Sequence, residues 1–474
     1  MNTPNVRMFV LVCILFAGLV GWTSRWTVFE AEDLRDNSLN RRELLEEQRI
    51  KRGPIRARDG TVLAGSEARP GGTYRRRYPL GNVFSHPVGY SYLSVGRSAI
   101  EQAKNDELVG QDDDLTNVVD QLAGKEPAGD ELITTLDVNA QRVALDALGD
   151  NRGAVVAIEP QTGEIRVMAS KPTFDPNELN DARDTKALSN GSALNRTTQG
   201  QYPPGSTFKV LTAVAAIDSG RYEKDSRVSG KSPKQISGAP LNNFGNKDWG
   251  TIPLTTALTN SVNTVWGEVA EKLGKETMQR YMERFGFLKR VEVDLPAEER
   301  ASSGVRVPNR KRFVEPTSDL VDIGRVAIGQ GGLLATPLQM AMVASAVANE
   351  GTLMKPTLTD RVRDIDGRTK DDGDPEELEE VMKPETARDV GDMMASVVRE
   401  GTGTAAALDG IAIAGKTGTA EIDVARNINQ PWFIGFAPRD NPKIAIAVTI
   451  ERSQGQGGTV AAPIAKKVLQ ELLK

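Results

Sequence analysis

A serine followed three residues later by a lysine, Ser206-Thr-Phe-Lys209, is a spacing that can do chemistry, and it occurs nowhere else in this chain. On a helix, residues three apart share a face, so the lysine amine comes within reach of the serine hydroxyl. The residues that follow, Val210 to Ile217, are apolar on nearly every face, the pattern of a helix buried all round. Burial disfavours the charged form of a lysine and leaves a neutral amine. A neutral amine beside a hydroxyl is a general base beside a nucleophile. The same serine, directly after Pro203-Pro204-Gly205, is also a natural helix cap, and the spacing alone supports both readings.

The rest of the chain limits what else could take a serine proton. Its only histidine is His86, in a His-Pro context, and its only cysteine is Cys13. One histidine cannot supply a two-histidine metal site, and a Ser-His-Asp triad would rest on this single residue, which reads as structural. Cys13 lies in the apolar N-terminal run, so the remainder of the chain has no disulfide and no thiolate metal site.

Two further elements offer partners for the serine. Ser261-Val-Asn263 lies between helical runs and presents a hydroxyl and an amide on the same side of a turn, although Ser38-Leu-Asn40 repeats the letters upstream. Gly410 to Glu421 is an alternating strand running into Gly415-Lys416-Thr417-Gly418-Thr419. Glycines there strip side-chain bulk from a strand and let another backbone pair with it. Lys416 with the hydroxyls of Thr417 and Thr419 suits a substrate carboxylate, and it would set a second cation near Lys209. A plain strand end with a turn glycine gives the same letters. A phosphate-binding loop is not expected, because the residues leading to Gly415 are strand-like rather than loop-like.

These groups need a scaffold. At 474 residues the chain has room for two or three domains, and 59 Lys+Arg against 64 Asp+Glu give a net charge of -5 that argues against a nucleic-acid surface. Met8 to Ser24 is an uncharged apolar run with Trp22 and Trp26 at its outer end and no small-x-small cleavage site after it. It reads as an uncleaved membrane anchor, with a cleaved signal or a buried core helix as rivals. Phe29 to Arg49 reads as a solvated helix leaving the membrane, and Asp59-Gly60 as the turn of a hairpin within Arg52 to Ser66. The acidic, Gly/Pro-punctuated stretch Gly110 to Glu131 marks a domain boundary. The expected division is residues 1–26 as cytoplasmic tip and anchor, 27–130 as an N-terminal pedestal domain and 131–474 as the catalytic domain.

In that last region Asp137 is a plausible cap for a helix reaching Leu148, and Pro160-Gln-Thr-Gly163 turns a hairpin. Trp432 to Pro438 and Lys443 to Glu451 are further strands, Ile464 to Lys474 is a closing amphipathic helix, and the middle is helical. Strands at both ends with helices between them predict an α+β domain whose sheet joins sequence-distant strands. Asp360 to Glu380 reads as a charged, solvated surface excursion.

Taken together and in this order, Ser-x-x-Lys, Ser-x-Asn and Lys-Thr-Gly are the signature set of active-site serine penicillin-binding proteins and related β-lactamases. From about Leu132 to Lys474 the sequence resembles the transpeptidase domain of class B penicillin-binding proteins, through those motifs and through NRTTQGQYPPGSTFK, AIGQGGLLATPLQMAMVASAVANEGTLMKP, REGTGTAA and WFIGFAP. Upstream, RGPIRARDGTVLAG looks like the hairpin that opens the family's pedestal module, and the short pedestal resembles the small actinobacterial members. The absence of a glycosyltransferase domain between anchor and pedestal separates it from the bifunctional class A proteins.

The resemblance implies an antiparallel sheet with a helical subdomain, on a small mixed pedestal with one transmembrane helix. It implies that Ser206 attacks the carbonyl between the two terminal D-alanines of a peptidoglycan stem peptide, with neutral Lys209 as base and terminal D-alanine leaving. Backbone N–H groups of Ser206 and Thr419 would form the oxyanion hole. Ser261 would relay a proton to the leaving amine, Asn263 would bond the substrate amide, and Lys416, Thr417 and Thr419 would hold the terminal carboxylate. Gly418 would let the peptide pair with the strand. An amine from a neighbouring stem then completes the cross-link. β-Lactams would acylate Ser206, and no metal or organic cofactor is implied. The implied partner is a membrane-embedded glycan polymerase of the elongation or division machinery, at a membrane with the N-terminus cytoplasmic and the catalytic domain outside. A D,D-carboxypeptidase, a β-lactamase and a β-lactam sensor would share the motifs; the first two send water to the acyl-enzyme, and the third needs a signalling module.

Overall fold

The structure is a computed structural model that describes residues 3–30, 47–110, 128–179 and 185–474. The expected helix after the anchor and the expected boundary at Gly110 to Glu131 fall largely outside those residues. A five-stranded antiparallel sheet organises the catalytic half, in the order Ala414–Asp423, Ile428–Ala437, Ile444–Ile450, Gly153–Ile158, Ile165–Lys171. Sequence-distant strands meet at its centre, where Val448 faces Val155. The predicted turn is present: Gly163, at φ 79°, donates its N–H to Glu159 O, and the flanking strands pair antiparallel.

Side chains alternate along each strand, so the sheet buries two faces. Val155, Ala157, Val167 and Ala169 pack beneath helices Val138–Leu148 and Ala462–Leu472. Val156, Met168, Ile434 and Ala447 face the opposite way, toward helix Pro337–Ala348. Every residue of that helix is buried. Its start is fixed by Thr336, whose Oγ1 accepts from Gln339 N, and by Pro337 in the first turn. Asp137 caps Val138–Leu148 as expected, accepting from Ala140 N at 2.9 Å.

The N-terminal module is built on a six-stranded sheet ordered Thr369–Asp371, Thr359–Arg363, Glu131–Thr134, Ile55–Arg56, Val62–Arg69, Thr73–Arg77. The predicted hairpin around Asp59-Gly60 supplies two of those strands, with Gly60 at φ 84°. This sheet corrects the reading of Asp360 to Glu380 as a surface excursion. Val362 is buried and pairs with Leu132, so the segment crosses back and completes the pedestal sheet. Only Thr359 and Val362 of that strand are buried, and so few inward positions leave little periodicity among charged letters.

At the N-terminus, Thr3–Ser24 is one helix with no buried residue, long and apolar enough to cross a bilayer. That exposure rules out the buried-core reading, since a core helix hides its apolar face.

Candidate active site

The serine sits on a tight turn. Gly205–Phe208 is one 3-10 turn that passes directly into helix Lys209–Asp218. No side chain caps this turn, so Ser206 forms no capping bond; Thr207 Oγ1 instead donates back to Pro204 O at 2.7 Å. The Ser206 hydroxyl is therefore left for Lys209, whose Nζ lies 2.9 Å from Ser206 Oγ.

Lys209 is fully buried, as its helix predicted. Its Nζ lies 2.8 Å from Ser261 O, 2.6 Å from Asn263 Oδ1 and 3.2 Å from Ser261 Oγ. A neutral amine has two N–H donors and one lone pair. Ser261 O and Asn263 Oδ1 can only accept, so they take the two N–H groups and the lone pair faces the serine proton. Burial, reinforced by the Lys416 cation, holds the Lys209 amine well below the ordinary lysine range.

Ser261-Val-Asn263 joins helices Leu254–Thr259 and Asn263–Leu273, as expected of an interhelical turn. Ser261 adopts a left-handed φ of 57°, which lifts its side chain out of the helix line at a cost of about 1–3 kcal/mol. Its Oγ lies between two amines, 3.2 Å from Lys209 Nζ and 3.0 Å from Lys416 Nζ. Lys416 is fully buried as well, also donating to Thr417 O at 2.8 Å, and burial lowers its pKa to about 7.

Strand Ala414–Asp423 lies against the serine turn. A side chain at Gly418 would come within 2.6 Å of Pro204 O, and one at Gly205 within 3.2 Å of Thr419 N. So Ser206 and Thr419 are neighbours, and the missing bulk at Gly418 is what lets the turn approach. Thr417 Oγ1 bonds Thr402 Oγ1 at 2.6 Å, and Thr419 Oγ1 accepts from Gly457 N at 3.1 Å. Gly410 does stand at phosphate-loop spacing before Gly415-Lys416-Thr417. The structure nevertheless puts Ala414–Asp423 in an edge strand, not in a loop opening a helix.

Residues 153–470 match the penicillin binding protein transpeptidase domain, and residues 52–132 match the penicillin binding protein A dimerisation domain. The chain belongs to the class B penicillin-binding proteins. Among its relatives, the peptidoglycan D,D-transpeptidase PbpA of Mycolicibacterium smegmatis is 33% identical over 502 residues, spanning 100% of this chain and 99% of the relative. Stage V sporulation protein D of Bacillus subtilis is 30% identical, over 84% of this chain and 64% of the relative. The ceftriaxone acyl-enzyme complex of penicillin-binding protein A from M. tuberculosis superposes with a TM-score of 0.80 at 29% identity, covering 91% of this chain and 100% of that one.

In this penicillin-binding protein the site also leans on residues that the motifs do not name. Trp432 Nε1 donates to Pro203 O at 2.9 Å, and Tyr202 Oη donates to Glu451 Oε1 at 2.5 Å. Burial and that carboxylate push the Tyr202 phenol up, so it stays a donor. Arg196 Nε holds the same Glu451 oxygen at 2.9 Å. Asn263 Nδ2 donates to Asn242 O, and Thr264 N donates to Asn243 Oδ1, each at 3.0 Å. Tyr202, Thr402 and Trp432 fall inside the segments quoted for the resemblance, whereas Asn242, Asn243 and Glu451 carry no sequence signal.

Proposed function

We propose that Ser206 is the acylation site of this D,D-transpeptidase and that Lys209 is its base. The observation that carries the reading is a fully buried amine 2.9 Å from the serine hydroxyl, with a second buried lysine behind it. As a class B penicillin-binding protein the chain acts on peptidoglycan and is a target of β-lactams.

Ser206 Oγ attacks the carbonyl between the terminal D-alanines while its proton passes to the Lys209 lone pair. The oxyanion is held by the N–H groups of Ser206 and Thr419. The C–N bond then breaks, and the proton returns through Ser261 to the departing D-alanine amine. Asn263 bonds the substrate amide, and Lys416, Thr417 and Thr419 hold the terminal carboxylate, which accepts charge-assisted bonds. Gly418 keeps the strand close to the turn and open to the peptide. An amine from a second stem attacks the ester, forms the cross-link and restores Ser206.

The remaining assignments belong to the same proposal. The chain divides into an anchor at 1–26, a pedestal at 27–130 and a catalytic domain at 131–474, with strand Glu131–Thr134 running in the pedestal sheet. The N-terminal apolar helix anchors the protein in the membrane. Its N-terminus is cytoplasmic and its catalytic domain extracytoplasmic, where the polymer to be cross-linked lies. A membrane-embedded glycan polymerase supplies that polymer.

Labelled penicillin tests the site. The full chain is expected to take up one label, and Ser206→Ala to take up none while keeping its thermal midpoint. Unchanged labelling of Ser206→Ala would refute the assignment.

A further inference from the structure

Outside the N-terminal helix and its flank, the one phenylalanine or tryptophan that is exposed among the described residues is Phe244, at 82%. Leaving so large an apolar side chain in water forgoes the stabilisation its burial would give, and its loop is otherwise firmly held. Asn243 Nδ2 donates to Gly230 O and Lys247 O, Trp249 N donates to Gly230 O, and Asn246 N donates to Asn243 O. Gly245 and Asn246 take φ of 63° and 55°, a tight turn that carries Phe244 at its tip. Around it stand the exposed side chains of Asn242, Asn246, Lys247 and Asp248. Lys247 Nζ lies 3.5 Å over the Trp249 ring.

The loop borders the cleft. Ser206 Oγ, Lys209 Nζ, Asn263 and Asn242 O form an unbroken hydrogen-bond chain, and Phe244 follows Asn242 by two residues. An aromatic face ringed by amides, a cation and a carboxylate is the chemistry that holds a sugar: the apolar C–H face of a pyranose complements the ring, and the polar groups take hydroxyls and N-acetyl groups. The substrate supplies such a sugar at the right range. A five-residue stem spans at most about 17 Å between its terminal carboxylate and the glycan that bears it.

We propose that the Asn242–Trp249 loop is a glycan-binding site, with Phe244 as the platform for an N-acetylated amino-sugar of the strand whose stem peptide occupies the cleft. This rests on the reading of Ser206 as the acylation site. The loop would raise the local concentration of stems and select peptide still attached to polymer over free peptide.

The test compares the full chain with Phe244→Ala in three measurements: acylation by labelled penicillin, which has no sugar; affinity for a peptide-free N-acetylglucosamine/N-acetylmuramic acid oligosaccharide; and cross-linking of the peptide-bearing polymer at limiting concentration. The variant is expected to keep its penicillin acylation rate and to lose about tenfold in oligosaccharide affinity and in cross-linking, the scale of one good aromatic contact. Equal oligosaccharide affinity in the two proteins overturns the proposal, as does a parallel fall in penicillin acylation, which would make Phe244 a contact for the peptide. If the unaltered chain bound the oligosaccharide through Phe244 yet took no label on Ser206, the glycan site would stand and the acylation reading would fall.

Discussion

Two lysines in one small buried space cannot both remain charged at little cost, because each raises the penalty already set by burial. Lys416, at about 7, keeps its proton longer than Lys209, which is pushed well below the ordinary range by burial and then by Lys416. On the proposed reading the two ends of the site therefore want opposite states: a neutral base under the serine and a cation under the carboxylate. Acylation should rise with pH as Lys209 loses its proton and fall again as Lys416 loses its own, with the falling limb of the free enzyme near pH 7. Replacing Lys416 by methionine removes the cation that depresses Lys209, so the rising limb moves to higher pH as the overall rate drops. The pH dependence of the second-order acylation rate, measured with labelled penicillin on both proteins, checks this; a rising limb that stays in place would mean that Lys416 does not tune the base.

At the scale of elements, Ser206 is held by a clamp of backbones rather than by its own helix. The edge strand presses on the serine turn at Gly418, and a left-handed glycine, Gly329, presses from another side, where a side chain would fall 1.9 Å from Gly205 O. Gly418→Ala puts a methyl 2.6 Å from Pro204 O, an overlap that costs about 1–3 kcal/mol of stability and displaces the turn. The expected outcome is a lower thermal midpoint and at least a tenfold loss in penicillin acylation, since a 1 Å misplacement can cost about a hundredfold. This is also where sequence reading reached its limit. Chemical type and spacing singled out Ser206, Lys209, Ser261 and Lys416, which the fold brings within hydrogen-bond reach of one another, because reactive groups recur in fixed local patterns. Asn243 and Glu451 do their work across long sequence separations, bonding Thr264 and Tyr202 through the fold, and nothing in their neighbourhoods announces it. Strand Thr359–Arg363 stayed hidden for a related reason: with two buried positions it reads as charged surface until Leu132 is placed beside it.

Across the whole molecule, the pedestal is joined to the catalytic half by polar seams as well as by that shared sheet. His86 Nε2 meets Ser192 O at 2.8 Å; burial lowers its pKa to about 4, so the ring is neutral at pH 7 and acts structurally, as expected. Tyr78 and Asn177 exchange two bonds, and Ala99 N donates to Glu299 Oε1 at 2.9 Å. The pedestal itself depends on Glu101, fully buried between Arg52 at 2.7 Å and Arg76 at 2.5 Å. Burial alone would raise the Glu101 pKa, but the two guanidinium groups outweigh it and hold the carboxyl below its usual range. A depressed carboxylate stabilises the fold above its unfolded pKa, and that contribution is lost as pH falls through the folded value. Removing it leaves Arg76 buried without a counter-charge and Arg52 with only Glu47, at 3.9 Å, a loss of about 3–5 kcal/mol. In Glu101→Ala the thermal midpoint at pH 7 should therefore drop sharply, and the acid-induced fall expected of the unaltered chain from the ordinary carboxylate pKa downward should shrink. The catalytic half keeps its five-stranded sheet and the separate core beneath helices Val138–Leu148 and Ala462–Leu472, so penicillin should still label Ser206 of the variant at temperatures below the new midpoint. A variant that lost labelling while still folded would show instead that the pedestal holds the serine turn in place.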